Sequence, residues 1–367
     1  MNIRLKETPE QFELVEAMGS RNMATAAEAQ EAFAKFIGDI ALQVLPKAGI
    51  LSSIYSDAPY NEDTDNPSVL LDLFYDEGAG FINVWSQNVA GGLPSNEVVG
   101  LQELKVGSYR LDSAASFPKR YARKARLDVV AKIVERMING VLIKQELNGW
   151  AVILKALAEA KTGSLYHVVS ATTTNTFALA DLSKLMTNSK RINQAYDGGT
   201  PTAPYSRGVT DMYVSPEVMG MIRSFAFNPI DSSAANTTQN LPEQLKYEIY
   251  RSAGLQSIFN VNLTEMLEFG NGKAYNTLFG GFVAGSTVPG GAATYWSTAN
   301  DEILVGIDNS RGAFIRPVAR DGETGATFTA EVDDQYNVKR VDKAGFYGSL
   351  EEGRVCIDGR AVAGVAM

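Results

Sequence analysis

The stretch from Tyr121 to Lys161, YARKARLDVVAKIVERMINGVLIKQELNGWAVILKALAEAK, decides how the chain is read. Leu127, Val130, Val134, Met137, Ile138, Val141 and Leu142 recur at helical spacing, and Trp150, Ile153, Leu154 and Leu157 continue the stripe. About 40 helical residues would run roughly 60 Å. Gly140 and Gly149 are the expected kinks or breaks, since a glycine inside a helix costs about 1 kcal/mol relative to alanine. The apolar spacing does not keep a heptad, so no coiled coil is expected. A helix of this length reads as the support of a mixed α/β domain.

Just before this helix the charge changes sign. Ala48 to Leu104 holds nine acids, Asp57, Glu62, Asp63, Asp65, Asp72, Asp76, Glu77, Glu97 and Glu103, and no lysine or arginine. The whole chain has a formal charge of −9, so the remainder sums to zero. Lys105 to Arg126 then carries seven cations, Lys105, Arg110, Lys119, Arg120, Arg123, Lys124 and Arg126, against Asp112 alone. Two solvated faces would account for this pattern; so would complementary surfaces that meet between copies of the chain.

The acidic block is also extended in character. Val69 to Tyr75 and Gly80 to Trp85 are rich in branched and aromatic residues, with turn signals at Asp76-Glu77-Gly78 and Gly91-Gly92-Leu93-Pro94. Val98 to Leu101 and Leu104 to Leu111 continue the pattern, which predicts a long hairpin-like excursion. Its apolar residues are too few to cover both faces, so it must lie against something else. Upstream, Thr8-Pro9-Glu10-Gln11 is a helix start and Gly19 its stop. A second helix is predicted from about Ala24 to Val44, with Ala32, Phe33, Phe36, Ile37, Ile40 and Val44 on one stripe and Pro46 and Gly49 beyond it. These two helices read as an arm without a core of its own.

Downstream of Thr162-Gly163 short helices and strands alternate. Ala178 to Leu185 reads as helix and Pro201 to Arg207 as loop. Asp211 to Val214 is a strand running into a helix capped by Ser215 and opened by Pro216. Gly254 to Asn262 reads as a strand and Gly270 to Gly291 as a flexible glycine-rich loop. Ile303 to Asp308 and Ala313 to Val318 are strands, and Ala344 to Val365 reads as two strands around turns.

Composition narrows the chemistry. The chain has 367 residues, 45% hydrophobic and 20% charged, an ordinary globular composition. Length suggests two or three domains. No apolar run is long enough for a membrane span and the N-terminus has no signal-peptide core, which predicts a cytoplasmic product. One cysteine, Cys356, and one histidine, His167, can form neither a disulfide framework nor a four-ligand zinc site. His167 lies in the apolar run Tyr166-His167-Val168-Val169 and reads as a packed or surface residue. Gly270-Asn271-Gly272-Lys273 lacks the earlier glycine of a phosphate loop, and Ala274 stands where a hydroxyl would bind magnesium. Asp63-Thr64-Asp65 opens like a calcium loop but has neither its glycine nor its closing glutamate. No catalytic, cofactor-binding or metal residue is expected.

The order of elements resembles the major capsid proteins of tailed bacteriophages, the Hong Kong 97-type α+β fold, over essentially the whole chain. Met212-Tyr213-Val214-Ser215-Pro216-Glu217-Val218 is similar to the axial-domain strand and helix of that family, and Lys343 to Gly348, Glu352 to Val355 and Ala361 to Ala363 to its closing strands. The resemblance implies an N-terminal arm at 1–50, an E-loop at 51–111 and a peripheral domain at 112–164 and 318–367 built on the long spine helix. It places an axial domain at 165–317.

The same resemblance implies a shell subunit, not an enzyme, forming hexamers and pentamers around double-stranded DNA held by weak non-specific contact. A scaffolding protein, a portal and a decoration or cement protein are the further partners, with no cofactor and no membrane. Contacts between copies would use Asp57, Glu62, Asp63, Asp65, Asp72, Asp76 and Glu77 of the E-loop. Lys119, Arg120, Arg123, Lys124 and Arg126 at the spine-helix start would face them, with Gly280, Gly281, Gly285, Gly290 and Gly291 in an axial loop. One branch of the family cross-links through an E-loop lysine; Lys105 stands at the loop's base, so that chemistry is not carried over. An encapsulin-like compartment and a soluble α/β enzyme are the alternatives.

Overall fold

The computed structural model describes residues 8–45, 49–61, 67–70, 103–124, 126–173, 175–196, 208–227, 244, 247, 257–286, 292, 295–296, 302–321, 325–333 and 343–367. They belong to two compact units. Unit 1 comprises Met1–Val69, Lys105–Gly149 and Ile315–Val355; unit 2 comprises Leu70–Leu104, Trp150–Phe314 and Cys356–Met367.

Unit 1 starts with helices α1 (Pro9–Met18) and α2 (Met23–Val44), close to the places the Pro9 start, the Gly19 stop and the apolar stripe predict, although Thr8 makes no side-chain cap bond. They are not a coreless arm. Val15, Met18, Phe33, Ile37 and Ala41 are buried in one cluster with Phe117, Val134, Ile138, Phe346 and Leu350. At roughly 25 cal/mol per Å² of apolar surface, a fully buried side chain of this size contributes about 1.5–3 kcal/mol. The sheet beneath them centres on strand Lys343–Glu352, paired antiparallel along its whole length with Tyr109–Pro118. On its other side Phe328–Val332 forms the sheet edge. Ser56–Asn61 runs parallel to Ile315–Arg320.

The long helix differs from expectation in two ways. It is preceded by a separate turn, α3 (Lys119–Arg123), and begins anew as α4 (Leu127–Glu159). Cations at a helix N-terminus oppose its macrodipole. The break leaves the cations of 119–126 outside α4, and Asp128 stands in its first turn. Neither Gly140 nor Gly149 breaks it. A Cβ on Gly149 would run into the Leu51 side chain and stand 2.9 Å from the Arg354 guanidinium. That glycine is a place of close approach inside unit 1.

Unit 2 holds a six-stranded sheet in the order Val168–Ser170, Val362–Ala366, Ile303–Ile307, Asp211–Val214, Val261–Glu265, Ser257–Ile258. Ile303–Ile307 and Val362–Ala366 are buried at every position, as continuous apolar runs between covering layers should be. Leu182, Leu185, Val218 and Ile222 are buried in the cluster that contains Met212, Val214, Leu304 and Val365. Trp150, wholly buried, meets Tyr213 and Phe269 edge-on at 5.0 and 5.3 Å between ring centroids.

Two expectations are corrected in this unit. Within Gly270 to Gly291 the residues Ala274–Ala284 are a helix with Tyr275, Phe279, Gly280 and Val283 buried. An apolar repeat every four residues outweighs the glycine penalty. Gly280 and Gly281 are therefore helical, Gly285 is the C-cap, and Gly290 and Gly291 lie outside the described residues. The strand expected at Gly254 to Asn262 is a hairpin turning at Phe259 and Asn260, whose φ values are 51° and 65°. Cys356–Met367 belongs to unit 2, where Val362–Ala366 pairs with Ile303–Ile307.

Candidate interaction surface

The surface is best understood from the charges it leaves free, and so from those it does not. In unit 1 the Glu352 carboxylate is fully buried. One oxygen accepts from the Tyr109 hydroxyl at 2.9 Å and lies 3.3 Å from Arg354 Nε. The other accepts from Gln145 Nε2 at 3.0 Å and lies 3.5 Å from Arg316 Nε. Arg354 also stacks its guanidinium 4.7 Å from the centre of the Tyr55 ring. Burial, and then the Glu352 charge, push the Tyr109 hydroxyl up to about 12. This network joins three strands and α4 from within. Sequence reasoning did not single it out, because nothing local marks Glu352 apart from the other glutamates.

Asp57, the first of the acids expected to meet a neighbouring copy, takes part in the same network. It is half-exposed and pairs with Arg316 at 3.2 Å inside its own unit. Glu62, Asp63, Asp65, Asp72, Asp76 and Glu77 lie outside the described residues, as does the candidate calcium-loop start. The two ends of that excursion meet at its base, where the Val106 N–H donates to the Pro67 carbonyl at 2.9 Å.

The basic segment is on the surface but only partly free. Arg123 Nε donates to the Gly19 carbonyl at 2.7 Å, tying α3 to the end of α1. Arg120 lies over the neighbouring Tyr121 ring and Arg126 is 3.9 Å from Asp128. Lys119 and Lys124 have no carboxylate within ion-pairing distance among the described residues. Beside them a groove of about 880 Å³ runs between α2 and the edge strand Phe328–Val332. Arg21, Lys35, Lys119 and Arg123 line it together with Glu31, Asp39, Asp321 and Glu331, so its lining has no single sign.

The chain's one histidine and one cysteine both lie in unit 2. His167, in unit 2, is buried with Nδ1 2.9 Å from the Val362 carbonyl and Nε2 2.9 Å from the Thr162 hydroxyl. Burial lowers its pKa. The Cys356 thiol is pushed up to about 12 by burial and so is not a thiolate near neutral pH. Arg311 and Arg360 both pair with Asp358, at 3.1 and 2.8 Å, and link the two short turns around Asn309–Arg311 and Gly359–Ala361.

The sequence matches no family model and no curated relative. Solved structures do match. A chain from the capsid structure of the cyanophage P-SCSP1u aligns over 87% of this chain and 88% of its own, with 13% identity and a TM-score of 0.51. The chain has the Hong Kong 97-type capsid fold. The mature capsid of bacteriophage PhiM1 aligns over 87% of this chain and 86% of its own at 8% identity and TM-score 0.48. The virus-like particle from Pyrococcus furiosus aligns over 93% and 99% at 11% identity and TM-score 0.42. Among the described residues no helix of this capsid-fold chain is long and apolar enough to cross a membrane.

Proposed function

We propose that the chain is the major capsid protein of a tailed bacteriophage, a structural subunit that assembles into the hexamers and pentamers of an icosahedral head around double-stranded DNA. The observation that carries this reading is the capsid fold, shared with the cyanophage capsid chain over most of both chains. In this reading 51–111 is the E-loop, the long helix is the spine, and most of unit 2 is the axial domain. The acids Glu62, Asp63, Asp65, Asp72, Asp76 and Glu77 meet the basic segment of the next copy. Lys119 and Lys124 are the free charges there, and Arg120 and Arg126 flank them. A closed shell arises from repeating such a heterologous contact about rotation axes. A scaffolding protein, portal and decoration protein are its partners, the DNA contact is weak because the subunit is acidic, and the mature location is the virion.

Electron microscopy of the purified protein at moderate and high salt tests this. Closed icosahedral particles, or hexamer and pentamer rings, that weaken with salt are the expected result. A monomer or dimer under every condition overturns the reading. Shells that form but package a protein cargo in place of DNA would make the chain a compartment subunit.

A further inference from the structure

Unit 2 carries a cationic helix face on a chain that is acidic as a whole, with 42 acids against 33 lysines and arginines. Helix α5 (Leu179–Tyr196) buries Leu182, Leu185, Ser189 and Ile192. At 100° per residue those four positions fall within about a quarter of the circumference. Ala180, Ser183, Lys184, Thr187, Lys190 and Arg191 are exposed and fall within about one third of it on the opposite side. Half of these exposed residues are cations. The one acid in the sequence of the helix, Asp181, is buried. Its carboxylate accepts from the Thr172 N–H at 2.8 Å, the Thr172 hydroxyl at 2.6 Å and the Ala178 N–H at 3.0 Å, so it does not reach the exposed face.

The positive charges there are not neutralised from outside the helix. Lys184 Nζ donates to the Ser170 carbonyl at 2.7 Å, which fixes the amine without cancelling its charge. Neither Lys184 nor Lys190 has a carboxylate within ion-pairing distance among the described residues. A fourth cation stands beside the helix. Lys161 is exposed, pairs with Tyr166 in a short hairpin and holds its amine 5.5 Å from the centre of that ring. The Tyr166 carbonyl in turn accepts from Asn188 Nδ2 of α5 at 2.8 Å. Glu159, two residues before Lys161, is already paired with Lys155 at 3.0 Å.

The chemistry of the face selects its partner. A protein partner needs aromatic or aliphatic anchors at the centre of the contact, and beyond the Ala180 methyl the exposed arc offers none. A phosphate backbone is held by cations, hydroxyls and amides, which are what Ser183, Lys184, Thr187, Asn188, Lys190 and Arg191 supply. Lys184 to Arg191 covers about 10 Å of helix, beside which a DNA duplex presents about six charges.

We infer that the exposed face of α5, with Lys161 beside it, contacts the phosphate backbone of double-stranded DNA without reading its sequence. The inference rests on the shell-subunit reading, which supplies the duplex, and adds to it the residues that meet the DNA.

The test measures binding of the full-length, unassembled protein to a short duplex of random sequence across a salt titration. Each phosphate contact contributes about −0.9 to the slope of log affinity against log salt, so three or four contacts give about −3. Lys190→Glu should bring that slope about one unit closer to zero. The triple variant Lys184→Glu, Lys190→Glu, Arg191→Glu should lose detectable binding, with its melting temperature checking the fold. Should the triple variant not fold, Lys190→Glu alone decides. Variants that bind with the wild-type affinity and slope would overturn the inference and leave the shell reading standing, as would a wild type that builds shells yet shows no affinity for DNA at low salt. Variants that keep DNA binding but no longer assemble would make the face a contact between copies and overturn it as well. Loss of DNA binding in Lys119→Glu with Lys124→Glu, but not in the α5 variants, would move the contact to unit 1. A wild type that binds duplex through α5 and never self-associates would keep the DNA surface and remove the shell reading.

Discussion

The two faces of α4 before Gly149 are built from the same residue types and meet opposite fates. Ile138 and Val141 are buried, and Gln145 on that side donates to the hidden Glu352; Ile143 and Leu147 are in water. The two glycines divide the same way. Gly149 is closed in by Leu51 and Arg354, while the space around Gly140 is open. Apolar character alone therefore does not distinguish a residue that stabilises this fold from one left exposed.

The comparison breaks most visibly at Glu352. Replacing it with alanine leaves Arg354 and Arg316 facing each other without their shared counter-charge, and a loss of about 3–5 kcal/mol is expected. Urea unfolding of the unassembled subunit reads this directly; a loss below about 1 kcal/mol would mean the network is not holding the strands. Next come the isoleucines. Ile138→Ala should cost about 2–5 kcal/mol, and Ile143→Ala should stay within about 0.5 kcal/mol. Equal costs would show that both faces are covered within one chain.

The glycines give opposite signs. Gly149→Ala must displace Leu51 or Arg354 and should destabilise by about 1–3 kcal/mol. Gly140→Ala should stabilise by up to about 1 kcal/mol, read as a rise in melting temperature. The smallest effect is expected from His167. Burial lowers its pKa from 6.5, so the unfolded chain takes up a proton first. Stability from its neutral form is then complete above about pH 6.5 and is lost as pH falls towards the folded value. The loss should disappear in His167→Gln, which cannot titrate; a pH profile identical to wild type would assign the dependence to another group.

Much of the fold could be read in the sequence. The helix start at Thr8-Pro9, where Thr8 makes no side-chain cap bond, the cap at Ser215-Pro216, the stripe through Phe33 and Ile37, and the apolar strand at Ile303 all depend on neighbours within one turn or one strand. Ser215 does accept from the Val218 N–H, at 3.2 Å. Two of the errors share a cause. At Phe259-Asn260 and Ala274–Ala284, backbone preference argued for one local structure and burial of Ile258, Val261, Tyr275 and Phe279 selected another.

What the sequence determined by itself was the inventory: a long helix, an acidic block followed by a basic one, and a single His and a single Cys, too few for a disulfide framework or a four-ligand zinc site. Those are properties of composition and short-range spacing. Which glutamate is buried, which glycine is pressed by a neighbour and which face of α4 stays in water were decided only by tertiary structure. Burial depends on residues such as Leu51, Gly149 and Arg354, brought together from distant points of the chain, and no spacing along the sequence encodes that distance.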